Sequence, residues 1–302
     1  MNVSLESVVS GLDRGWKSVH WSCALEDCQN KRFLRSVPQS RVGIRMGNAW
    51  YCSVDCFVKA SRDRFASLTC GRNLDMPHKP RITLGSIMLS KGYLTEEEYR
   101  SALMESRLSG EAFETTVVRM QLVDEWQLAS ARAMQWGYPV LGRDRISQSA
   151  DADLPPSLMK AFSAVPLHTS KSAKRILIGF VYRVEHSLLH SLEQATGYRV
   201  DACFITPTDL HYQMERFESA QDRREIILDD LTTAIDFGKF VGGVALEITA
   251  REVSLSRCQD YVWMRLSGKR QSLDVLFRGK QASGARRCYT FVETGEDIRA
   301  IG

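Results

Sequence analysis

Thr83-Leu84-Gly85-Ser86-Ile87-Met88-Leu89 and Ala112-Phe113-Glu114-Thr115-Thr116-Val117-Val118 align with Leu84 over Phe113, Met88 over Val117 and Leu89 over Val118. Further on, Leu94-Thr95-Glu96-Glu97-Glu98 aligns with Val123-Asp124-Glu125-Trp126-Gln127 at the same offset of 29 residues. Thr95 with Glu98, and Asp124 with Gln127, each form a helix-capping pattern. The side-chain oxygen of the first residue accepts from a backbone N–H left unpaired by the helix, and the residue at the third helical position reaches back. Tyr99, Ala102 and Leu103 follow the first cap at helical spacing; Leu128, Ala131 and Met134 follow the second. Each copy reads as a short helix, a tight turn and a longer helix with one apolar face. Neither copy can bury that face alone, so the two are expected to pack together.

This pattern resembles the N-terminal domain of type II secretion and type IV pilus assembly ATPases. That domain carries tandem repeats of the form R-L-G-x-x-L-V-x-x-G-x-L, a cap, then L-x-x-A-L-x-x-Q. The first copy here is T-L-G-S-I-M-L-S-K-G-Y-L, and the second ends in Leu128, Ala131 and Gln135. The resemblance extends to about residue 217. LPPSLMKAFSAVPLHTSKSAKRILIGFV is similar to the family's second subdomain, and LLHSLEQATGYRVDACFITPTDLHYQMERF to its close. Some members bind cyclic di-GMP on the Arg-Leu-Gly turns and the apolar positions around them. Carried over, that implies a nucleotide site at Leu84, Gly85, Leu89 and Gly92. This chain departs from the pattern, because the arginine position holds Thr83 and Ala112, and the glycine positions of the second copy hold Glu114 and Gln121. A carboxylate there opposes an anion, whereas a glycine permits close backbone approach. Arg81, two residues upstream, is the candidate substitute for the missing arginine.

The second candidate site lies in residues 20–70, which hold five of the eight cysteines. Cys23 and Cys28 form a C-x4-C pair, and Cys52 and Cys56 a C-x3-C pair. Structural zinc takes four deprotonated soft ligands in a tetrahedron, usually from two short knuckles. The second pair stands in WYCSVDCFVKASRDRF, an aromatic strand end running into an amphipathic helix, as in a treble-clef zinc finger. The text between the pairs reads as a hairpin turning at Gly47-Asn48. The competing reading is four buried thiols. His20 is an alternative ligand, and Cys70 stands outside the pattern. The finger carries Arg32, Arg35, Arg41, Arg45, Lys59, Arg62 and Arg64, which admits a nucleic-acid reading. Without aromatic interleaving or C2H2 spacing, a protein-contact finger is favoured.

The whole chain then divides into a leader (1–19), a zinc finger (20–70), a linker (71–80), the tandem helical repeats (81–141), a hinge (142–155), a small α/β subdomain (156–217) and a helix followed by a β-rich C-terminal domain (218–302). In 156–217 the expected elements are helix 157–163, strand 175–181, helix 186–195, strand 198–205 and a closing helix 208–217. The C-terminal part is expected to open with a charged helix over 221–237. After Gly242-Gly243, strands follow near 244–249, 253–257, 261–266, 273–278 and 287–292. The fold class is α+β and multidomain. A hydrophobic fraction of 44% with 25% charged residues suits a soluble protein, and a net charge of +4 is too small to imply nucleic acid. No apolar run approaches a membrane span and no signal-peptide pattern opens the chain, so a cytoplasmic location is expected. Reduced thiols there favour a metal over a disulfide.

The motor of the ATPase family is missing from these residues. No G-x-x-x-x-G-K-[ST] occurs, so no phosphate cradle and no hydroxyl for Mg²⁺ are available. No G-x-S-x-G or H-E-x-x-H occurs either. The expected role is therefore non-catalytic: an adaptor or regulator docking on a protein partner of a secretion or pilus system. The alternatives are a cyclic di-GMP receptor and a nucleic-acid-binding regulator using the finger.

Overall fold

The repeated segment folds as four helices. In the computed structural model the helices of the first copy are α2 (Leu84–Ser90) and α3 (Glu96–Ser109), and those of the second are α4 (Phe113–Arg119) and α5 (Glu125–Trp136). The structure describes residues 23–28, 43–70, 80, 82–142, 144, 146, 152–219, 224–228, 234–269, 271–278, 290–294 and 297–301. These fall into two compact units, one drawn from both ends of the chain and one from its middle, dividing near residues 73 and 223.

Both long helices of the middle unit start on capping boxes. Glu98 N–H donates to Thr95 Oγ1 at 3.3 Å, and Thr95 N–H to Glu98 at 2.8 Å. Gln127 N–H donates to Asp124 at 2.7 Å, and Asp124 N–H to Gln127 at 2.9 Å. The short helices end in matching turns, with Tyr93 N–H on Met88 C=O at 2.9 Å and Leu122 N–H on Val117 C=O at 3.0 Å. That turn needs a left-handed residue. Gly92 provides it at φ +65°, whereas the second copy holds Gln121 there at φ +56°, a conformation that costs a residue with a Cβ about 1 kcal/mol.

The copies then exchange partners: α2 packs on α5, and α3 on α4. Their shared core is Leu84, Ile87, Met88, Leu94, Ala102, Val117, Val123, Leu128 and Ala131. Met88 with Val117, Leu94 with Val123 and Ala102 with Ala131 are equivalent pairs at the repeat offset. The exchange is reciprocal in its hydrogen bonds. Gln135 Nε2, closing the second copy, donates to Ile82 C=O before the first at 2.8 Å. Ser106 Oγ, closing the first, donates to Glu111 C=O before the second at 2.7 Å.

The same unit continues as a three-stranded sheet, β3 (Ala164–Ser170), β4 (Arg175–Phe180) and β5 (Arg199–Phe204), in that order, with β3 antiparallel and β5 parallel to β4. Helices α6 (Pro156–Ala161), α7 (His186–Thr196) and α8 (Pro207–Ser219) accompany it. Strand β3 is absent from the sequence expectation. It carries Pro166, next to an irregularity in its register with β4. A proline cannot donate to a ladder, so it is tolerated here because β3 is the edge strand. Helix α8 starts as its Thr-Pro-Thr-Asp text implies, with Asp209 N–H on Thr206 Oγ1 at 3.0 Å.

In the other unit, a hairpin of β1 (Ile44–Met46) and β2 (Ala49–Tyr51) turns at Gly47-Asn48. It joins β7 (Glu252–Cys258), β8 (Tyr261–Ser267), β9 (Ser272–Arg278) and β6 (Glu225–Leu228) in one six-stranded sheet of order β2-β1-β7-β8-β9-β6. β1 runs parallel to β7, with Arg45 opposite Glu252. Strands expected in separate domains, 20–70 and 218–302, thus share one sheet. Helices α1 (Val54–Cys70) and α9 (Ala234–Glu247) pack together. Phe65 of α1, Phe237 of α9 and Phe277 of β9 meet with ring centroids 4.7, 5.1 and 5.6 Å apart, each pair adding about 1 kcal/mol to the burial itself. Residues 290–294 and 297–301 form a separate antiparallel pair, β10 and β11.

Two C-terminal expectations are corrected. Of the helix expected over 221–237, the described residues form a strand at Glu225–Leu228, parallel to β9, and a helix at Ala234–Glu247. The strand expected over 244–249 is instead the end of that helix, to Glu247, and the turn that follows it. Gly242-Gly243 looks like a break, but the helix runs through it. A Cβ on Gly238 would meet the movable end of the Arg62 side chain, and one on Gly242 would make ordinary contact with Val58 at 3.4 Å. Both glycines face α1. Burial of Phe237, Val241, Val244 and Ala245 offsets a helix penalty of about 1 kcal/mol per glycine.

Candidate metal centre

The hairpin and the start of α1 fix two of the four cysteines. Cys52 follows the last residue of β2, and Cys56 lies in the first turn of α1. Ser53 caps that helix, its Oγ accepting from Cys56 N–H at 3.2 Å. The other pair is carried by a knuckle tied to the hairpin. Ala24 N–H donates to Trp50 C=O at 2.9 Å, and Cys28 N–H to Leu25 C=O at 3.2 Å. Cys23 Sγ accepts from the backbone N–H groups of Leu25 and Cys52.

All four sulfurs lie within 4.8 Å of one another. Cys28 and Cys52 are 3.6 Å apart, Cys52 and Cys56 3.8 Å, and Cys28 and Cys56 3.7 Å. A tetrahedral ion with metal–sulfur bonds of about 2.3 Å needs sulfurs about 3.8 Å apart. A disulfide needs about 2.05 Å, which these distances exceed. An iron–sulfur cluster, with sulfides between its irons, needs its cysteines spread more widely. The arrangement therefore suits one mononuclear ion. Cys23 and Cys28 are buried, at 8% and 7% exposure, whereas Cys52 and Cys56 are half-buried. The core of the same unit runs directly from these cysteines to Ile44, Tyr51 and Phe57.

The protonation balance is that of ligands crowded together. Burial and the neighbouring thiols push Cys52 up to about 12. Cys56 is also raised: its hydrogen bond with Ser53 lowers it, but burial and the Cys28 and Cys23 thiols outweigh that. Cys23 goes the other way, because the N–H groups of Cys52 and Leu25 and the adjacent thiols outweigh its burial. A divalent cation reverses the unfavourable part, since it stabilises thiolates and displaces their protons. His20 and the Cys70 side chain lie outside the described residues. Cys258 is buried in β7. The supporting role of Ser53 escaped the sequence reading, although Ser-x-x-Cys at a helix start is a legible N-cap pattern.

The residues of the implied nucleotide site are differently disposed. Arg81 lies outside the described residues. Leu84 is buried in the repeat core, and Leu89 is packed against it. Gly85 is buried too, and a Cβ there would lie 2.4 Å from the Tyr99 ring. Close packing against Tyr99 is enough to require this glycine. Gly92 is open, with nothing within 4 Å of an added Cβ. The sequence reading passed over one charged side chain of the same repeats. Arg132 occupies the repeat position that Leu103 fills in the first copy, and it is buried. Its guanidinium donates to Val181 C=O at 3.1 Å and lies 5.3 Å from the Tyr182 ring. Burial lowers its pKa, partly countered by Glu114. Aligning the two copies would have exposed it, as an arginine at an apolar repeat position.

No family model matches the chain. A type IV pilus assembly ATPase does resemble it in sequence. The relative is PilB of Thermus thermophilus, 27% identical over 135 residues. The match covers 44% of this chain and 15% of PilB, so the chain corresponds to a minor part of that relative's length. Among solved structures, MshE with cdg is 20% identical, covering 45% of this chain and 99% of that one at a TM-score of 0.38. The N-terminal domain of XpsE is 16% identical, covering 44% and 92% at a TM-score of 0.34. TM-scores this low do not establish a shared fold. Among the described residues, no helix is long and apolar enough to cross a membrane.

Proposed function

We propose that this chain is a non-catalytic adaptor or regulator. Its helical repeat module docks on a protein partner of a type II secretion or type IV pilus system, and its four cysteines hold zinc as a structural staple. The observation that carries this reading is the duplicated, capped hairpin with a reciprocal core, in a chain similar to a pilus assembly ATPase yet lacking a phosphate-binding loop. Such a module presents a fixed surface for a partner. The zinc assignment draws on sulfur separations matching a tetrahedral ion and on the N–H groups aimed at Cys23. The test is binding of the purified full chain to individual components of a pilus or secretion machine, before and after Val117→Asp. This substitution disrupts the repeat core and leaves the cysteines untouched. Binding lost while zinc is retained supports the reading. Binding that survives collapse of the module overturns it.

A second reading makes the repeats a cyclic di-GMP receptor using Leu84, Gly85, Leu89 and Gly92, with Arg81 as the cation. The open turn at Gly92 favours it, and closure of Gly85 by Tyr99 opposes it. Calorimetry with cyclic di-GMP decides: micromolar binding lost in Gly92→Glu supports a receptor, and silence at high concentration ends this reading. The nucleic-acid alternative requires binding that weakens steeply with salt, and a flat response removes it.

A further inference from the structure

We propose that the cysteine centre is a redox-sensitive clasp, in which hydrogen peroxide converts Cys52 and Cys56 to a disulfide and releases the ion. This rests on the metal reading above and adds a regulation to it. The four ligands are unequal in access. Cys23 and Cys28 are 8% and 7% exposed, while Cys52 and Cys56 are half-buried at the rim. The sulfurs of the two less buried cysteines are 3.8 Å apart, one just after β2 and the other in the first turn of α1. Cys28 lies as near to each of them, at 3.6 and 3.7 Å, so exposure and not distance selects the Cys52–Cys56 pair.

The chemistry balances. One rim thiolate attacks peroxide, the O–O bond breaks, and a sulfenic acid forms with hydroxide leaving as water. The second rim thiolate attacks that sulfur, the S–S bond forms, and hydroxide leaves again as water. Two thiolates, one hydrogen peroxide and two protons yield one disulfide and two waters. The sulfurs lose two electrons and the peroxide oxygens gain them. A disulfide sulfur carries no charge to hold the ion, so half the ligand set is lost. The knuckle at residues 23–28 then loses its attachment to Cys52 and Cys56 through the metal. Its hydrogen bond from Ala24 to Trp50 is left as the described backbone tie to the hairpin.

The experiment uses the full chain as purified, with its metal content measured first by elemental analysis. Stoichiometric hydrogen peroxide is then added, release is followed with a chromogenic zinc chelator, and tryptic peptides are weighed without reduction. The sequence places Cys52 and Cys56 on one peptide, 46–59, and Cys23 and Cys28 on another, 18–31. The expected result is one zinc released per chain, peptide 46–59 lighter by two hydrogens, and reversal by a thiol reductant with zinc. Zinc retained through several equivalents of peroxide, or a bridge joining the two peptides, overturns the proposal. Protein containing no metal before peroxide is added refutes the metal reading itself, and the clasp falls with it.

Discussion

The two compact units reach stability by opposite routes. The middle unit contains a sequence-local duplication. Its repeat core comes from residues 84–131, its helices start on their own caps, and its two copies complete each other. The other unit is discontinuous. Its sheet sets β1, near residue 45, beside β7, near residue 252, and its N-terminal hairpin carries two half-buried cysteines at its end. A repeat is built from contacts that are short in sequence, so little loop entropy opposes it. A sheet joining distant strands must close a long loop first, and the zinc proposed above would stabilise a short hairpin that is otherwise marginal.

The largest effect expected from this contrast is that of metal removal. Chelation of the purified chain should abolish or sharply lower one thermal transition while leaving the other in place, since structural zinc contributes on the order of 10 kcal/mol in small fingers. Scanning calorimetry with and without chelator reads this. The metal-dependent transition should weaken as pH falls, because the ligands bind as thiolates and protons compete for them. Its stability is present at high pH and is lost toward acid. If both transitions shift together, the two routes are not separate.

The converse substitution is nearly as large. Val117→Asp, at a fully buried position of the repeat core, should cost more than about 4 kcal/mol. It should remove the transition that chelation spares, with bound zinc unchanged by elemental analysis. Gly85→Ala is intermediate. Its Cβ would drive into the Tyr99 ring, and a cost of about 1–3 kcal/mol is expected from chemical denaturation.

The smallest effects compare the two copies directly. Gln121→Gly should stabilise the middle unit by up to about 1 kcal/mol, because it relieves a left-handed residue that bears a Cβ. Gly92→Gln should cost a similar amount, since the site is open and only the backbone resists. Opposite signs of similar size in urea titrations would confirm that the two turns are equivalent. Equal signs would show that the copies have diverged beyond the backbone.

Much of the middle unit was legible in the residues themselves. Thr95 with Glu98 and Asp124 with Gln127 name their helix starts, and the constant offset names the partners. The spacing of the four cysteines marked them as a group, and their sulfurs do cluster. What escaped were features whose cause lies far along the chain. Pro166 argues against a strand until β3 proves to be an edge. Gly238 and Gly242 argue against a helix until α1 proves to lie against them. Glu225–Leu228 is too short and too charged in its surroundings to declare itself a strand without β9 beside it.

The sequence by itself determined the local grammar of this protein: its caps, its duplicated apolar pattern and its paired thiols, all of which act over a few residues or one repeat. Only the tertiary structure decided which strands share a sheet, which glycines serve packing, and that four sulfurs converge to within 4.8 Å. The shared sheet depends on burying apolar surface between segments some two hundred residues apart, and even the cysteine pairs meet only through the hairpin folded between them, so no local window of sequence contains both partners.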